Sequence, residues 1–155
     1  MSNANTNPTP YDARIAELRP RASHPDGWES REIAHLETMR GFYHDPQSMV
    51  GQPATYRIGS DCYPLVVVKI SKSGAKIWLA KVEATRTDSN GMSECQDYTY
   101  DIEGALQHAF ANGNGRITYW AIATRRKLGS YAIKGRGAYA CVTIGHARRY
   151  RDPSF

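Results

Sequence analysis

The spacing of apolar residues changes near residue 50, from a helical period to the alternation typical of strands. Before that point a stripe recurs every three or four residues, which predicts an amphipathic helix. The stripe consists of Ile33, Leu36, Met39 and Tyr43. Asp26 is placed to cap the start of this helix, with Glu29 three residues further on as in a capping box.

A second, shorter helix is expected to begin at residue 10 or 11 and to end at residue 18, before Pro20. Residues 1–9 are rich in Asn, Thr and Pro and lack an apolar pattern, so they are expected to be disordered. The predicted organisation is therefore a disordered N-terminus at 1–9, a helical arm at 10–46 and a β-rich core domain at 47–155.

From residue 51 onward, short runs rich in β-branched and aromatic residues alternate with turn residues. Strands are predicted at 54–59, 63–71, 75–83, 96–101, 116–123, 130–134 and 138–145, with one or two helical turns within 103–111. This series predicts an α+β fold that is mainly β. We expect a small antiparallel barrel or strongly curved sheet, SH3-like or similar, with an N-terminal helical arm.

The strand at 63–71 is unusually apolar. Val66, Val68 and Ile70 are expected to share one face by simple alternation, while Leu65 and Val67 make its start apolar on the other face as well. Four lysines are expected on the solvent side of the hairpin that this strand begins: Lys69, Lys72, Lys76 and Lys81.

Positive charge is concentrated at the C-terminal end of the chain. The net charge is only +5, yet residues 116–155 hold nine Lys or Arg against one Asp. Residues 1–115 hold 11 against 14. This asymmetry is typical of proteins that bind negatively charged partners.

The basic residues of this segment are interleaved with aromatic ones. Guanidinium groups pair with phosphates and rings stack on bases, so the set is typical of nucleic-acid or anion binding. The candidate residues are Arg125, Arg126, Lys127, Lys134, Arg136, Arg148 and Arg149, with Trp120 and Tyr139 for stacking. Two alternatives stay open: the rings belong to the core and the charges are merely solvated, or the charges face an acidic protein.

A polar stretch at 85–94 is longer than a hairpin needs, and functional groups often lie on loops held by a rigid scaffold. Its candidate functional residues are Arg86, Asp88, Asn90 and Glu94. The alternative is a solvated loop with an Asx turn at Asp88 or Asn90.

The sequence contains no motif that indicates an enzyme, a metal site or a cofactor site, so we expect no catalytic residue, no metal and no cofactor. The five histidines are scattered, and no Cys/His cluster has zinc spacing. Gly135-Arg136-Gly137 lacks the spacing of a phosphate loop and predicts a turn. The longest uncharged apolar stretch, Tyr63 to Val68, is far below the roughly 20 residues of a membrane span, so we expect no membrane contact and a cytoplasmic location.

Three runs of residues resemble a family of small phage and prophage proteins without an established activity. They are residues 72–77 (KSGAKI), 84–94 (ATRTDSNGMSE) and 150–155 (YRDPSF), together with Tyr98 and Tyr100. The resemblance covers residues 51–155 and leaves the helical arm outside it. It implies a viral or prophage origin and action in the cytoplasm of a bacterial host, and it carries no functional residue over to this chain.

The function predicted from these observations is that of a phage-derived, non-enzymatic binding module, which contacts nucleic acid or a nucleotide through its basic C-terminal strands. The alternative is a host-directed inhibitor, for counter-defence or host takeover, that acts by protein–protein contact through the region of Trp28 or Phe42. A third possibility, sequestration of a signalling nucleotide, requires a concave pocket with convergent Arg and aromatic groups.

Overall fold

The structure, a computed structural model, describes residues 7–126, 129–137 and 140–154. Its helices are α1 (Asp12–Leu18), α2 (Trp28–His44) and α3 (Ile102–Phe110), with 3₁₀ helices at Arg19–Arg21 and Pro46–Met49. Its strands are β1 (Pro53–Ile58), β2 (Asp61–Ile70), β3 (Lys76–Lys81), β4 (Ala84–Arg86), β5 (Tyr98–Tyr100), β6 (Ala121–Arg125), β7 (Tyr131–Ile133) and β8 (Cys141–Ile144). None of the helices within these ranges is long and apolar enough to cross a membrane.

Six of the described strands close into an antiparallel barrel in the order β1-β2-β3-β6-β7-β8. The barrel closes because β8 returns to pair with β1, with Tyr56 opposite Val142 and Ala54 opposite Ile144. Strands β4 and β5 pair separately as a two-stranded sheet. The predicted fold, a mainly β protein with a small antiparallel barrel and N-terminal helices, is confirmed.

Strand β2 is apolar on both faces because both are covered. Leu65 and Val67 point into the barrel core, whereas Val66 and Val68 pack outside it in a second cluster with Ala109 of α3. The pairing with β3 shifts register between Val67 and Lys69, and this bulge returns Ile70 to the barrel interior. The predicted common face of Val66, Val68 and Ile70 is therefore wrong, since simple alternation fails at a bulge.

The N-terminal helices close one end of the barrel. Leu18 of α1 and Met39 of α2 lie in the same buried cluster as Ile77 inside the barrel. Tyr131, almost wholly buried, donates its hydroxyl to the Gly74 carbonyl at 2.9 Å, and burial raises its pKa to about 12. Helices and barrel therefore share one hydrophobic core.

The start of α2 differs from the predicted capping box. Its N-cap is Gly27, which makes no side-chain cap, and Asp26 lies one residue outside the helix. Ser30 donates its hydroxyl to the His24 carbonyl at 2.7 Å, which ties the first turn to the preceding loop. Upstream, Thr9 is buried and donates its hydroxyl to the Asp12 carboxylate at 2.8 Å, while residues 1–6 lie outside the described ranges.

Candidate functional site

The end of the barrel opposite the helices holds a cavity of about 430 Å³. It lies where β1 ends at Ile58 and β2 begins at Asp61. Because every second side chain of a barrel strand points inward, the inward-pointing series of each strand continues beyond the packed core and lines this end of the barrel. Six of the lining side chains are aromatic or basic, and the others are apolar. The six are Tyr56, Tyr63, Trp120, Lys81, Arg136 and Arg149.

Three aromatic rings form one continuous group in this cavity. The Tyr56 ring lies 5.4 Å from that of Trp120 and 6.0 Å from that of Tyr63, measured between ring centres. Tyr56 is buried, whereas Tyr63 and Trp120 are half-buried, so Tyr56 is the innermost ring of the group. The backbone N–H of Trp120 donates to the Leu79 carbonyl at 2.7 Å, which fixes this residue beside β3.

Three cations lie against these rings. The Lys81 ammonium and the Arg136 guanidinium stand 5.2 Å and 5.5 Å from the centre of Trp120, and the Arg149 guanidinium stands 4.7 Å from the centre of Tyr63. No acidic side chain of the described part of the chain lines the cavity. Among the described residues, none of the three cations forms an ion pair with a carboxylate. The cavity is therefore a site of concentrated positive charge on an aromatic surface, which attracts anions.

Lys81 reaches this cavity because it lies in phase with the inward-facing residues of β3. Ile77 and Leu79 are fully buried in the barrel, and Lys81 is the next residue of that series. Lys81 is exposed to solvent as predicted, but it does not share a face with Lys69, which packs on the outer face of the barrel, 4.7 Å from the Trp78 ring. The strand alternation itself is the signal that identifies Lys81.

Arg136 is held on the turn that follows β7. Gly135 and Gly137 flank it with φ angles of 81° and 85°, which side-chain-bearing residues rarely adopt. The backbone N–H of Arg136 donates to the Ile133 carbonyl at 3.3 Å. The glycines thus let the chain reverse sharply and present the Arg136 side chain at the open end.

Arg149 belongs to the C-terminal segment (residues 146–154), which lies along β2 and β5. Tyr150 and Cys62 exchange two backbone hydrogen bonds of 2.9 and 3.0 Å. The backbone N–H of Arg149 donates to the Tyr100 hydroxyl at 2.8 Å. The Gln96 amide accepts from the Arg151 N–H and donates to the Arg151 carbonyl, at 3.2 and 2.7 Å. These contacts fix the backbone from which Arg149 reaches Tyr63.

Several polar side chains of the loop at 85–94 form hydrogen bonds within the loop or with the residues that directly follow it. Arg86 donates two hydrogen bonds to Asp88, at 2.9 and 3.0 Å, and the N–H groups of Asn90 and Asp97 donate to the same carboxylate. The Arg86 guanidinium and these N–H groups hold the pKa of Asp88 well below its usual range. Glu94 is exposed. The bond from the Asn90 N–H to Asp88 is the Asx turn named in the alternative interpretation, and the continuation of the loop at Gln96 and Tyr100 supports the C-terminal segment. A binding role for the loop stays a prediction.

The basic residues proposed from sequence are divided among several places. Trp120, Arg136 and Arg149 line the cavity, whereas Arg125 lies at the helix end of the barrel, 5.4 Å from the Tyr43 ring. Lys127 and Tyr139 lie outside the described residues. Three others lie elsewhere on the surface: Arg126 and Lys134 at a depression along β6 and β7, and Arg148 over the Tyr150 ring.

Of the six aromatic and basic residues that line the cavity, three were not predicted from sequence: Tyr56, Tyr63 and Lys81. Tyr56 of β1 is paired in register with Tyr63 of β2. Each is separated by two positions from a core residue of its own strand, so each points to the same face as that residue. Their inward direction was therefore accessible from alternation. Their proximity to Trp120 and Arg149 depends on how the barrel closes. The order of the strands, which sets this closure, is not given by the alternation of apolar and polar residues.

The surface expected for a protein partner is that around Trp28 or Phe42 on α2. Trp28 is 49% exposed at the start of α2, with the Arg21 guanidinium 5.9 Å from its ring. Phe42 is only half-exposed and packs against the core. Among the described residues of α2, two large hydrophobic rings are exposed, Trp28 at its start and Tyr43 near its end.

Within the described residues, no group of three or more His, Cys, Asp or Glu is placed to hold a metal ion. Comparison of the chain with protein-family models, with curated proteins and with solved structures finds no match. The resemblance of residues 51–155 to phage and prophage proteins therefore stays a prediction.

Proposed function

We propose that this protein is a non-enzymatic binding module that holds a nucleotide, free or as a unit of a nucleic-acid chain, in the cavity at the open end of its barrel. One observation carries the proposal: three cations, unopposed by any acidic lining residue, meet three aromatic rings in one cavity. The binding residues are Lys81, Arg136 and Arg149 for the anion, and Tyr56, Tyr63 and Trp120 for the ring system.

The cavity has a complementary surface for each part of a nucleotide: cations for the phosphate and aromatic rings for the base. Lys and Arg pair with phosphate oxygens, and bases stack on aromatic rings or on guanidinium planes. The cations lie against the rings, a contact worth about 0.5–1 kcal/mol at exposed sites. A phosphate offers them a stronger, charge-assisted partner. The cavity volume of about 430 Å³ lies within the range of small-molecule sites, and the mouths of β-barrels are common places for such sites.

The first test is a thermal-unfolding screen against four nucleoside 5′-monophosphates, the cyclic dinucleotides of adenine and guanine, and a (dT)₁₂ oligonucleotide. A bound nucleotide at about 100 times its Kd raises the free energy of unfolding by about 2.7 kcal/mol. If the ligand is a strand, (dT)₁₂ binds most tightly, and log affinity falls with log salt by about 0.7 per phosphate contacted. If it is a free nucleotide, one of the small probes binds at least as well. Stabilisation by none of them at low salt contradicts the proposal.

A further inference from the structure

The Tyr56 hydroxyl is buried and has no hydrogen-bond partner among the described residues. It is the one such side-chain atom within those ranges, and the other tyrosine hydroxyls in the barrel interior are paired. Tyr131 donates to the Gly74 carbonyl at 2.9 Å, and Tyr63 donates to Asp61 at 3.4 Å. A buried hydroxyl normally has a partner, because an unmade hydrogen bond is costly away from water. Tyr56, the residue that carries this hydroxyl, is one of those that line the cavity.

The cavity has an inner and an outer part with different chemistry. Tyr56 is the innermost of the three rings, with only 4% of its surface exposed. Lys81 and Arg136 are exposed and Arg149 is half-buried, so the cations occupy the outer part. A nucleotide bound by these groups points its phosphate outward to the cations and its base inward. The inner part then presents aromatic surface to the base, and the unpaired hydroxyl belongs to the ring that lies deepest in it.

Resting on the function proposed above, we propose that Tyr56 is the specificity-determining residue of the site, whose hydroxyl hydrogen-bonds a polar atom on the edge of the bound base. Stacking is tolerant of sequence because every base has a π-face, so rings and cations alone discriminate little. A site that hydrogen-bonds its ligand rejects an analogue that leaves the buried group unpaired. The site therefore prefers one base, and this preference depends on a single oxygen atom.

The test replaces Tyr56 with phenylalanine, which removes the oxygen and keeps the ring. Tyr98→Phe is the matched control, since it removes the hydroxyl of a half-buried tyrosine that does not line the cavity and is already paired with Gln96. Isothermal titration is carried out on both variants and on the unaltered protein with the four 5′-monophosphates, the two cyclic dinucleotides and inorganic pyrophosphate. Denaturant unfolding without ligand is measured on all three proteins.

We expect Tyr56→Phe to weaken binding of the preferred nucleotide about tenfold, as for the loss of one hydrogen bond, and to bring the bases to similar affinities. Pyrophosphate affinity should stay unchanged, and the unliganded variant should be as stable as the unaltered protein or more so. Tyr98→Phe should keep the base preference.

Three results overturn the inference while leaving the proposed function standing. The first is an unchanged base preference in Tyr56→Phe. The second is an equal loss of pyrophosphate affinity, which would place the effect at the phosphate. The third is a lower free energy of unfolding, which would mean that the hydroxyl has a partner in the unliganded protein. If the unaltered protein binds none of the nucleotides, the proposed function fails and this inference fails with it.

Discussion

Replacing Arg136 and Arg149 together by glutamine is expected to lower nucleotide affinity about 100-fold. Both guanidinium groups line the cavity, lie against its rings and, within the described residues, lack a carboxylate partner. A hydrogen bond to a charged group contributes about 1.5–3 kcal/mol, so the loss of two corresponds to a factor of 100 or more. Both side chains are on the surface of the open end, and the free energy of unfolding should change little.

A matched control separates the cavity from the general positive charge of residues 116–155. The double variant Arg126→Gln with Lys134→Gln removes the same charge from an exposed depression along β6 and β7. We expect this control to change affinity by less than about threefold, since screening at physiological salt weakens charges that do not touch the ligand. Equal losses in the two double variants would contradict a site in the cavity.

Replacing Leu18 by alanine is expected to lower the free energy of unfolding of the whole protein by about 2–5 kcal/mol. Leu18 lies at the end of α1, is fully buried and belongs to the same hydrophobic cluster as Ile77 and Leu79 inside the barrel. Its truncation leaves a cavity where the helices close the barrel. The effect should therefore reach the β-sheet as well as the helices.

Two readouts distinguish a shared core from a separate arm. Circular dichroism at 222 nm follows the helices, and tryptophan fluorescence follows the barrel through Trp78 and Trp120 when every protein compared also carries Trp28→Phe, which removes the one tryptophan of α2. In Leu18→Ala both transitions should move together to lower denaturant concentration. Glu17→Ala is the control, because Glu17 is exposed and its surface ion pairs contribute about 1 kcal/mol or less. A fluorescence transition that stays at its original midpoint in Leu18→Ala would contradict the shared core.

The barrel could be predicted from the sequence because its strands obey local rules. Alternation, β-branched residues and turn glycines each act over a few residues, and they agree along most of the chain after residue 50. The apolar character of both faces of β2 also had a physical meaning, since α3 covers the outer face. The bulge after Val67 could not be predicted, because it is set by the pairing with β3.

The residues of the site could not be predicted from the charge distribution along the sequence. Basic residues that are close in sequence can lie far apart in the folded barrel. Strand β6 runs from the open end of the barrel to the helix end, and β7 runs back. Arg125 and Arg136, 11 positions apart in sequence, therefore lie at opposite ends of the barrel. Lys81 comes from a part of the chain with no excess of positive charge, yet barrel closure places it beside Trp120.

The polar loop illustrates a different limit. Its composition suggested a binding loop, and a single sequence does not show which polar groups are already paired. Asp88 accepts from Arg86, Asn90 and Asp97, so its carboxylate holds the loop together. The contribution of this region to the site is indirect, through the Tyr100 hydroxyl that accepts from the Arg149 backbone.

The central claim, that a nucleotide binds at the open end of the barrel, is tested most directly by the three tryptophan indole signals in a ¹H–¹⁵N correlation spectrum. Only Trp120 lines the cavity, whereas Trp28 is exposed on α2 and Trp78 lies on the outer face of β3. At saturating concentrations of the tightest-binding nucleotide, the Trp120 signal should shift while those of Trp28 and Trp78 stay in place. A Trp120 signal that stays in place while the nucleotide is bound would contradict the account.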